Sequence, residues 1–140
     1  MNLQDAKGAK TIEPDEVVDD VARQVVDAAL AVHRALGPGL LESIYEQCLA
    51  RELEMRGVPH ARQVAVPVRY RGLELEGGFR IDLLVGGVVV VEVKAVEQLL
   101  PIHEAQLLTY LKLTNLRVGL LINFNVPLLK HGIRRLIAPV

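Results

Sequence analysis

The apolar residues in the first part of the chain recur with the period of a helix. Over residues 17–36 they follow one another at three- and four-residue steps, which places them on one face of an amphipathic helix. Pro14 and Asp15 suit the start of this helix, and Gly37-Pro38-Gly39 suits its end. A second stripe of the same period predicts another helix over residues 41–56.

Beyond Pro59 the period falls to two, which indicates strands. The predicted strands cover residues 64–70, 79–85, 88–93 and 118–124. Pro101 opens a third helical pattern before the last of them, and residues 128–137 suit either a strand or a helix. This order predicts an α/β domain with a mixed central sheet flanked by helices. A meander of three strands would be followed by a helical crossover to a fourth.

Composition favours one folded domain. The 140 residues are 51% hydrophobic and 24% charged, which suits a single domain over residues 14–140 behind a flexible tail, residues 1–13. A net charge of −1 argues against a protein that coats nucleic acid, because such domains are strongly basic. Cys48 is the only cysteine, and neither a signal peptide nor a membrane-spanning run is visible. We therefore expect a cytoplasmic protein without membrane contacts.

Three charged residues stand inside the most apolar pair of strands. Asp82 lies in the first strand, and Glu92 and Lys94 lie at the end of the second. Charges in such strands cost free energy unless they have partners. Because side chains alternate along a strand, Glu92 and Lys94 share one face, and the register of the hairpin decides whether Asp82 joins them.

The length of the hairpin loop sets this register. A two-residue loop would place Asp82 opposite Val91, on the wrong face. A three-residue loop over residues 86–88 pairs Val85 with Val89, and Asp82 then lies opposite Glu92. The longer loop is favoured because it makes one face wholly apolar, with Ile81, Leu83, Val85, Val89, Val91 and Val93. The other face then collects Arg80, Asp82, Glu92 and Lys94.

Two opposed carboxylates repel one another unless a cation lies between them. Mg²⁺ prefers hard oxygen ligands and keeps positions open for a substrate phosphate, so Asp82 and Glu92 predict a Mg²⁺ site, with Mn²⁺ as a substitute. Lys94 could orient or deprotonate a water molecule and offset phosphate charge. The alternative interpretation is a solvated strand face that carries an Asp and a Glu–Lys pair.

The pattern Asp82 … Glu92-Val93-Lys94 resembles the core of the PD-(D/E)XK nuclease superfamily, with Ile81 in place of the usual proline. The stretch Gly39-Leu40-Leu41-Glu42-Ser43-Ile44-Tyr45 is similar to the motif of GxxExxY proteins, a group described as nucleases with poorly defined substrates. The resemblance implies a restriction-endonuclease-like core.

The same resemblance assigns roles to several residues. It implies that Asp82 and Glu92 hold the metal, assisted by the carbonyl of Val93. It also gives Glu42 an active-site role, as an extra acidic ligand or as a neighbour of the ligands. Without the resemblance, Glu42 is well explained as a carboxylate stabilised by the dipole near a helix N-terminus. Tyr45 would be mainly a core residue whose hydroxyl reaches the cleft or anchors Glu42.

Gln106 and Tyr110 lie four residues apart on the third predicted helix and therefore share a face. They resemble the Gln-x-x-x-Tyr element of RecB-type nucleases, which implies that Gln106 contacts the substrate backbone or a metal-bound water. The same likeness makes His33 a candidate metal ligand. The alternatives are a half-buried amide, a core tyrosine and a packing histidine. A basic cluster suits either phosphate contacts or solvent: Lys130, His131, Arg134 and Arg135.

Together these features predict a Mg²⁺-dependent nuclease that hydrolyses nucleic-acid phosphodiester bonds, with DNA favoured over RNA by resemblance. One alternative is a catalytically weak adaptor that uses the same fold to bind nucleic acid or protein. Another is an enzyme that acts on a different phosphorylated substrate. A two-fold homodimer is a further hypothesis, because it would present paired active sites to two strands.

Overall fold

The structure, a computed structural model, describes residues 15–139, so the predicted tail of residues 1–13 and the helix start at Pro14 lie outside the described part. Within these residues the α-helices are α1 (Glu16–Leu36), α2 (Glu42–Met55) and α3 (Pro101–Thr114). The strands are β1 (His60–Ala65), β2 (Val68–Tyr70), β3 (Leu73–Leu75), β4 (Arg80–Val85), β5 (Val89–Lys94), β6 (Val118–Asn123) and β7 (Ile133–Ile137). Within residues 15–139, no helix is both long enough and apolar enough to cross a membrane.

Local sequence signals set the helix ends. Asp15 caps α1, and its Oδ1 accepts a hydrogen bond of 2.9 Å from the backbone N–H of Val18. Gly37 ends the helix with φ 69°, a conformation that favours glycine, and donates its N–H to the carbonyl of His33 at 2.8 Å. Pro101 occupies the first position of α3, where a missing N–H costs nothing. These boundaries agree with the predicted ones.

Five strands form the central sheet in the order β1-β4-β5-β6-β7. All neighbours are antiparallel except β5 and β6, which run parallel and are joined by the crossover helix α3. The predicted fold class, a mixed sheet flanked by helices, is confirmed. Residues 128–137, for which either a strand or a helix was predicted, contain both: a short 3-10 helix, Leu129–Gly132, is followed by the edge strand β7.

The single strand predicted over residues 64–70 is wrong. Pro67 lies between β1 and β2, and proline cannot donate a hydrogen bond to a sheet ladder. The chain therefore leaves the central sheet after Ala65 and forms a separate hairpin, in which β2 pairs only with β3. It returns to the central sheet at Arg80, which pairs with Ala65.

The core has two parts, one on each face of the sheet. Helices α1 and α2 pack on the larger part and α3 on the smaller. On α3 the buried residues are Leu107, Tyr110 and Leu111, whereas the apolar residues Ile102 and Leu108 are exposed. The prediction that Ile81 shares a face with Leu83 is also wrong. Ile81 packs in the smaller core part, because regular pairing breaks at Asp82.

Candidate active site

The two acidic residues of the hairpin lie where β4 and β5 stop pairing regularly. Val85 pairs with Val89 across the predicted three-residue loop, and the ladder continues to Leu83 and Val91. Beyond this ladder, carboxylate side chains take the place of backbone carbonyls as hydrogen-bond acceptors. The N–H of Asp82 donates to Glu92 Oε2 at 3.0 Å, and the N–H of Val93 donates to Asp82 Oδ2 at 2.8 Å. This exchange holds both carboxylates between the strands. In each carboxylate, the second oxygen accepts no backbone N–H.

An irregularity in β1 accompanies this break. Arg62 pairs with Leu83 and Val64 with Ile81, so Gln63 and Asp82 are left out of the regular pairing between β1 and β4. Gln63 adopts φ 52°, which is uncommon for a residue other than glycine. Its Nε2 lies 3.4 Å from Asp82 Oδ1. The bulge in β1 therefore brings an amide to the free side of the Asp82 carboxylate.

Glu46 is a third acidic residue at this site, and sequence reasoning missed it. Its side chain is buried, and both carboxylate oxygens accept hydrogen bonds of 3.0 Å from Gln63 Nε2. Arg62 donates to the same carboxylate at 3.2 Å. A chain of hydrogen bonds thus runs from Glu46 through Gln63 to Asp82. The sequence carries one signal for it: Glu46 follows Glu42 by four residues and lies on the row of Leu49 and Leu53, which face the core.

Burial and like charge destabilise the ionised form of both acids between the strands. Burial, and next the charge of Asp82, raises the pKa of Glu92 from 4.5 to about 8. Burial also raises the pKa of Asp82; the hydrogen bond from Val93 opposes that rise, and the charge of Glu46 adds to it. Lys94 lowers the pKa of both carboxyl groups, which places its ammonium in the same site. One lysine does not balance this set of acids, so a bound cation would stabilise it.

Helix α3 brings Tyr110 to the site but leaves Gln106 at the surface. Tyr110 is buried; its burial, followed by the charges of Glu92 and Asp82, raises the pKa of its hydroxyl. Gln106, one turn earlier, is exposed. Its side chain forms no hydrogen bond with other parts of residues 15–139. Of the predicted Gln-x-x-x-Tyr pair, Tyr110 thus interacts electrostatically with the carboxylates, whereas the Gln106 side chain is exposed to solvent.

The two further candidate ligands occupy different surroundings. Glu42 is the first residue of α2, and its charge contributes to the raised pKa of Asp82. His33 Nε2 lies 2.7 Å from the carbonyl of Val126 and must donate to it, which leaves Nδ1 as the only nitrogen able to bind a metal. The ring also packs near Phe124, with 6.4 Å between centroids. Within residues 15–139, His33 forms no hydrogen bond or ion pair with Asp82 or Glu92.

Tyr45 fixes the segment that precedes Glu42. Its ring is fully buried and stacks on Phe124, with centroids 4.6 Å apart and planes 8° from parallel. Its hydroxyl donates to the carbonyl of Gly37 at 2.5 Å and accepts the N–H of Leu40 at 3.2 Å. The tyrosine thus ties the glycine-rich turn to the core and sets where α2 begins.

Asn123 is a second residue that sequence reasoning missed. It lies beside Lys94 in the parallel register of β5 and β6 and is 2% exposed. Its side chain accepts from the N–H of Val96 at 3.0 Å and donates to the carbonyl of Val96 at 2.9 Å. These bonds fix the chain that leaves Lys94. A polar residue that ends the apolar run of β6 was the available signal, but its partner follows only from the pairing of two distant strands.

Two of the four C-terminal basic residues are already paired. Arg134 lies 3.8 Å from Glu104, and Arg135 forms an ion pair with Asp19 at 2.5 Å. Lys130 and His131 are exposed on the segment before β7. These pairs reduce the positive charge that the predicted basic cluster could offer to phosphate.

The donor groups of the acidic pair are carboxylate oxygens, which suit a hard divalent cation. Within residues 15–139, no three His, Cys, Asp or Glu side chains are arranged as a metal-binding group. Mg²⁺ is commonly held by one or two carboxylates, with water and substrate phosphate as its other ligands. Asp82 and Glu92, each with one oxygen free of backbone hydrogen bonds, meet that requirement.

Comparison with known proteins supports the same fold. A family model described as the PD-(D/E)XK nuclease superfamily matches residues 19–136. The crystal structure of SSO0001 superposes with a TM-score of 0.54 at 21% sequence identity, covering 96% of this chain and 71% of that chain. At this identity the similarity concerns the fold alone. No curated protein matches the sequence significantly.

Proposed function

This chain belongs to the PD-(D/E)XK nuclease superfamily, and we propose that it is a divalent-metal-dependent nuclease that hydrolyses phosphodiester bonds, with DNA as its substrate. The observation that carries the proposal is the exchange between Asp82 and Glu92. Each carboxylate is fixed by a backbone N–H from the other's strand, at the point where the two strands stop pairing. Two buried acids so close together are unfavourable in a purely structural role.

Asp82 and Glu92 are the proposed metal ligands, with the carbonyl of Val93 beside them and Glu42 nearby. Mg²⁺ is the preferred ion, because the set consists of oxygen atoms and contains few of them. A divalent cation bound there supplies Lewis acidity and stabilises negative charge on phosphate oxygens. His33 is a weaker candidate, because Nε2 is occupied by the carbonyl of Val126.

Lys94 is the proposed group that acts on water and phosphate. Its ammonium lies close enough to lower the pKa of both carboxyl groups. The backbone of Lys94 is fixed by its parallel pairing with Asn123 and by a hydrogen bond of 2.9 Å from the Phe124 N–H to the Lys94 carbonyl. We assign to it the orientation of the attacking water and the offset of charge that develops on phosphorus.

Two groups on α3 are proposed to contact the substrate. The charges of the acidic pair help to raise the pKa of the Tyr110 hydroxyl, and we assign to this hydroxyl a hydrogen bond to a phosphate oxygen. Gln106 is exposed one turn away, and its amide is free to contact the sugar–phosphate backbone.

We also assign the chain to the GxxExxY group within the superfamily. Glu42 acts electrostatically on Asp82, and Tyr45 holds the turn that precedes Glu42. Both named residues of the motif thus have a physical connection to the site. A two-fold homodimer would present two such sites to a duplex and is the assembly we propose.

Replacement of Lys94 distinguishes a nuclease from an adaptor, because it should affect cleavage and binding differently. Lys94→Ala should lower the single-turnover rate with Mg²⁺ by about 100-fold or more, the range of general acid–base and electrostatic groups. Binding in Ca²⁺ should change far less, because one phosphate contact is a small part of the electrostatic affinity. Lys112→Ala, which removes an exposed lysine in the last turn of α3, is the matched control.

Wild type that cuts neither DNA nor RNA with Mg²⁺ or Mn²⁺ would exclude the nuclease. If such inactive protein still bound nucleic acid tightly, the adaptor would be the better account. Equal cleavage rates for the Lys94 and Lys112 variants would leave a nuclease but remove the role of Lys94.

A further inference from the structure

The hairpin of β2 and β3 carries an exposed apolar face. Tyr70 pairs with Leu73 and Val68 with Leu75, so these four side chains share one face of the hairpin. Tyr70, Leu73 and Leu75 are 63%, 55% and 51% exposed. A two-stranded hairpin is marginally stable alone, so exposure of its apolar face suits contact with a partner.

An aromatic ring and a guanidinium group lie together at the tip of this hairpin. Arg71 and Gly72 form the turn with φ values of 48° and 83°, as a two-residue hairpin loop of this kind requires. The Arg71 guanidinium carbon lies 5.7 Å from the centroid of the Tyr70 ring. Within residues 15–139, Arg71 forms no ion pair. An exposed aromatic face beside an unpaired guanidinium suits a nucleotide, whose base stacks while its phosphate meets the cation.

The hairpin begins and ends beside the acidic pair. Ala65 pairs with Arg80 at its base, and Asp82 follows two residues later. Phe79, also at the base, is 41% exposed, and its ring centroid lies 6.3 Å from that of Tyr110. Aromatic side chains therefore lie at the tip, at the base and at the carboxylates.

Charge favours nucleic acid over a second copy of the chain as the partner of this surface. Residues 60–80 contain four arginines and two glutamates, and because Arg62 pairs with Glu46 outside this range, an excess of one positive charge remains in a chain whose net charge is −1. Phosphates complement that excess. A two-fold contact between copies would instead bring the same positive charge together.

We propose that the β2–β3 hairpin binds unpaired nucleotides of the substrate, with a base stacked on Tyr70 and a neighbouring phosphate held by Arg71. This inference rests on the proposed nuclease function and names its substrate class, a nucleic acid with a single-stranded segment next to the bond that is cut.

Anisotropy of a fluorescein-labelled DNA strand tests the proposal. A strand of roughly 20 nucleotides exceeds the ~4–16 nucleotides that one small single-strand-binding fold covers. In Ca²⁺, Tyr70→Ala should weaken binding of this strand about tenfold, a ΔΔG of ~1.4 kcal/mol. Binding of a blunt duplex of the same sequence should change less, since its bases are already stacked. Tyr70→Phe retains the ring and should bind as wild type does.

Two further variants sharpen the test. Arg71→Ala should reduce the slope of log affinity against log salt by about 0.7, the value expected for one lost phosphate contact to a single strand. Met55→Ala removes a side chain of similar exposure, 67%, in the last turn of α2 and should change neither binding nor slope. Unchanged melting temperatures would show that the variants are folded.

Equal strand binding by wild type, Tyr70→Ala and Arg71→Ala would overturn the inference. A wild-type dimer that Tyr70→Ala converts to a monomer in sedimentation would overturn it too, because a second copy would then cover this face. Mg²⁺-dependent cleavage measured in parallel keeps the two proposals apart. If the hairpin variants cleave and bind as wild type does, this inference fails and the nuclease proposal stands. If the hairpin variants weaken binding but the wild type cleaves nothing, the nuclease proposal fails and the binding role of the hairpin stands.

Discussion

At the scale of single residues, the acidic pair shows how backbone hydrogen bonds can hold charges that would otherwise separate. Asp82 and Glu92 each accept a backbone N–H, yet burial and the charges of neighbouring acids still raise the pKa of both, with Asp82 acting on Glu92 and Glu46 acting on Asp82. A folded protein keeps such an arrangement at the expense of stability. The free energy of unfolding of the metal-free protein should therefore depend on pH.

The free energy of unfolding of the metal-free protein should fall as pH rises from about 4.5 to about 8. The pKa of Glu92 is about 8 in the folded chain, against 4.5 for an ordinary glutamate. Between these values the folded state holds a proton that the unfolded state releases, so rising pH favours unfolding. Urea denaturation in EDTA at several pH values measures the trend.

Glu92→Gln provides the reference for this titration. The amide cannot ionise, so the variant should lose less stability than wild type across the same pH range. Mg²⁺ should oppose the loss in wild type at the upper end, because it binds the ionised carboxylates. Parallel curves for wild type and Glu92→Gln would contradict the assignment of the titration to this carboxyl group.

At the scale of elements, Tyr45 links the glycine-rich turn to α2. Tyr45→Phe removes the hydroxyl that bonds Gly37 and Leu40 and should lower the free energy of unfolding by about 1–3 kcal/mol, because these backbone groups lose a partner. Tyr70→Phe is the matched control, since the Tyr70 ring is exposed. Equal urea midpoints for the two variants would show that the Tyr45 hydroxyl does not hold the turn.

Element ends and the main hairpin could be predicted because local chemistry decides them. Asp15, Gly37 and Pro101 mark helix ends, and the apolar alternation selects the loop that pairs Val85 with Val89. The split at Pro67 was also visible in the sequence, but the alternating valines around it outweighed the proline. Local sequence signals thus predict an element correctly where they agree with one another.

The rest of the site depends on contacts between distant segments. The left-handed conformation of Gln63 exists because a bulge there accommodates Asp82, and no residue type announces it. Glu46 becomes an active-site neighbour only once α2 packs over β1 and β4. Asn123 reaches Val96 through the parallel pairing of β5 and β6. Spacing along the chain cannot specify such partners.

At the scale of the whole molecule, α3 must pack closely on the sheet to bring Tyr110 to the acidic pair. Gly119 of β6 permits this contact, because a Cβ there would lie 2.8 Å from Leu107 Cδ1. Gly119→Ala should lower the free energy of unfolding by about 1–3 kcal/mol through overpacking. It should also reduce cleavage, since α3 would shift with Tyr110 and Gln106.

A double variant tests that explanation. Leu107→Ala leaves space for the new methyl group, so the effects of Gly119→Ala and Leu107→Ala on the free energy of unfolding should not add. Strict additivity in urea unfolding would show that the two side chains do not compete for this space.

The central claim is that one divalent ion joins Asp82 and Glu92. Anomalous diffraction from crystals soaked in Mn²⁺ tests it most directly. We predict one strong peak bonded to an oxygen of each carboxylate, at distances near the ~2.1 Å of Mg²⁺–oxygen bonds, and its absence in crystals of Asp82→Asn. A peak that contacts only one of the two carboxylates, or none at this site in a soak that loads other positions, would contradict the account.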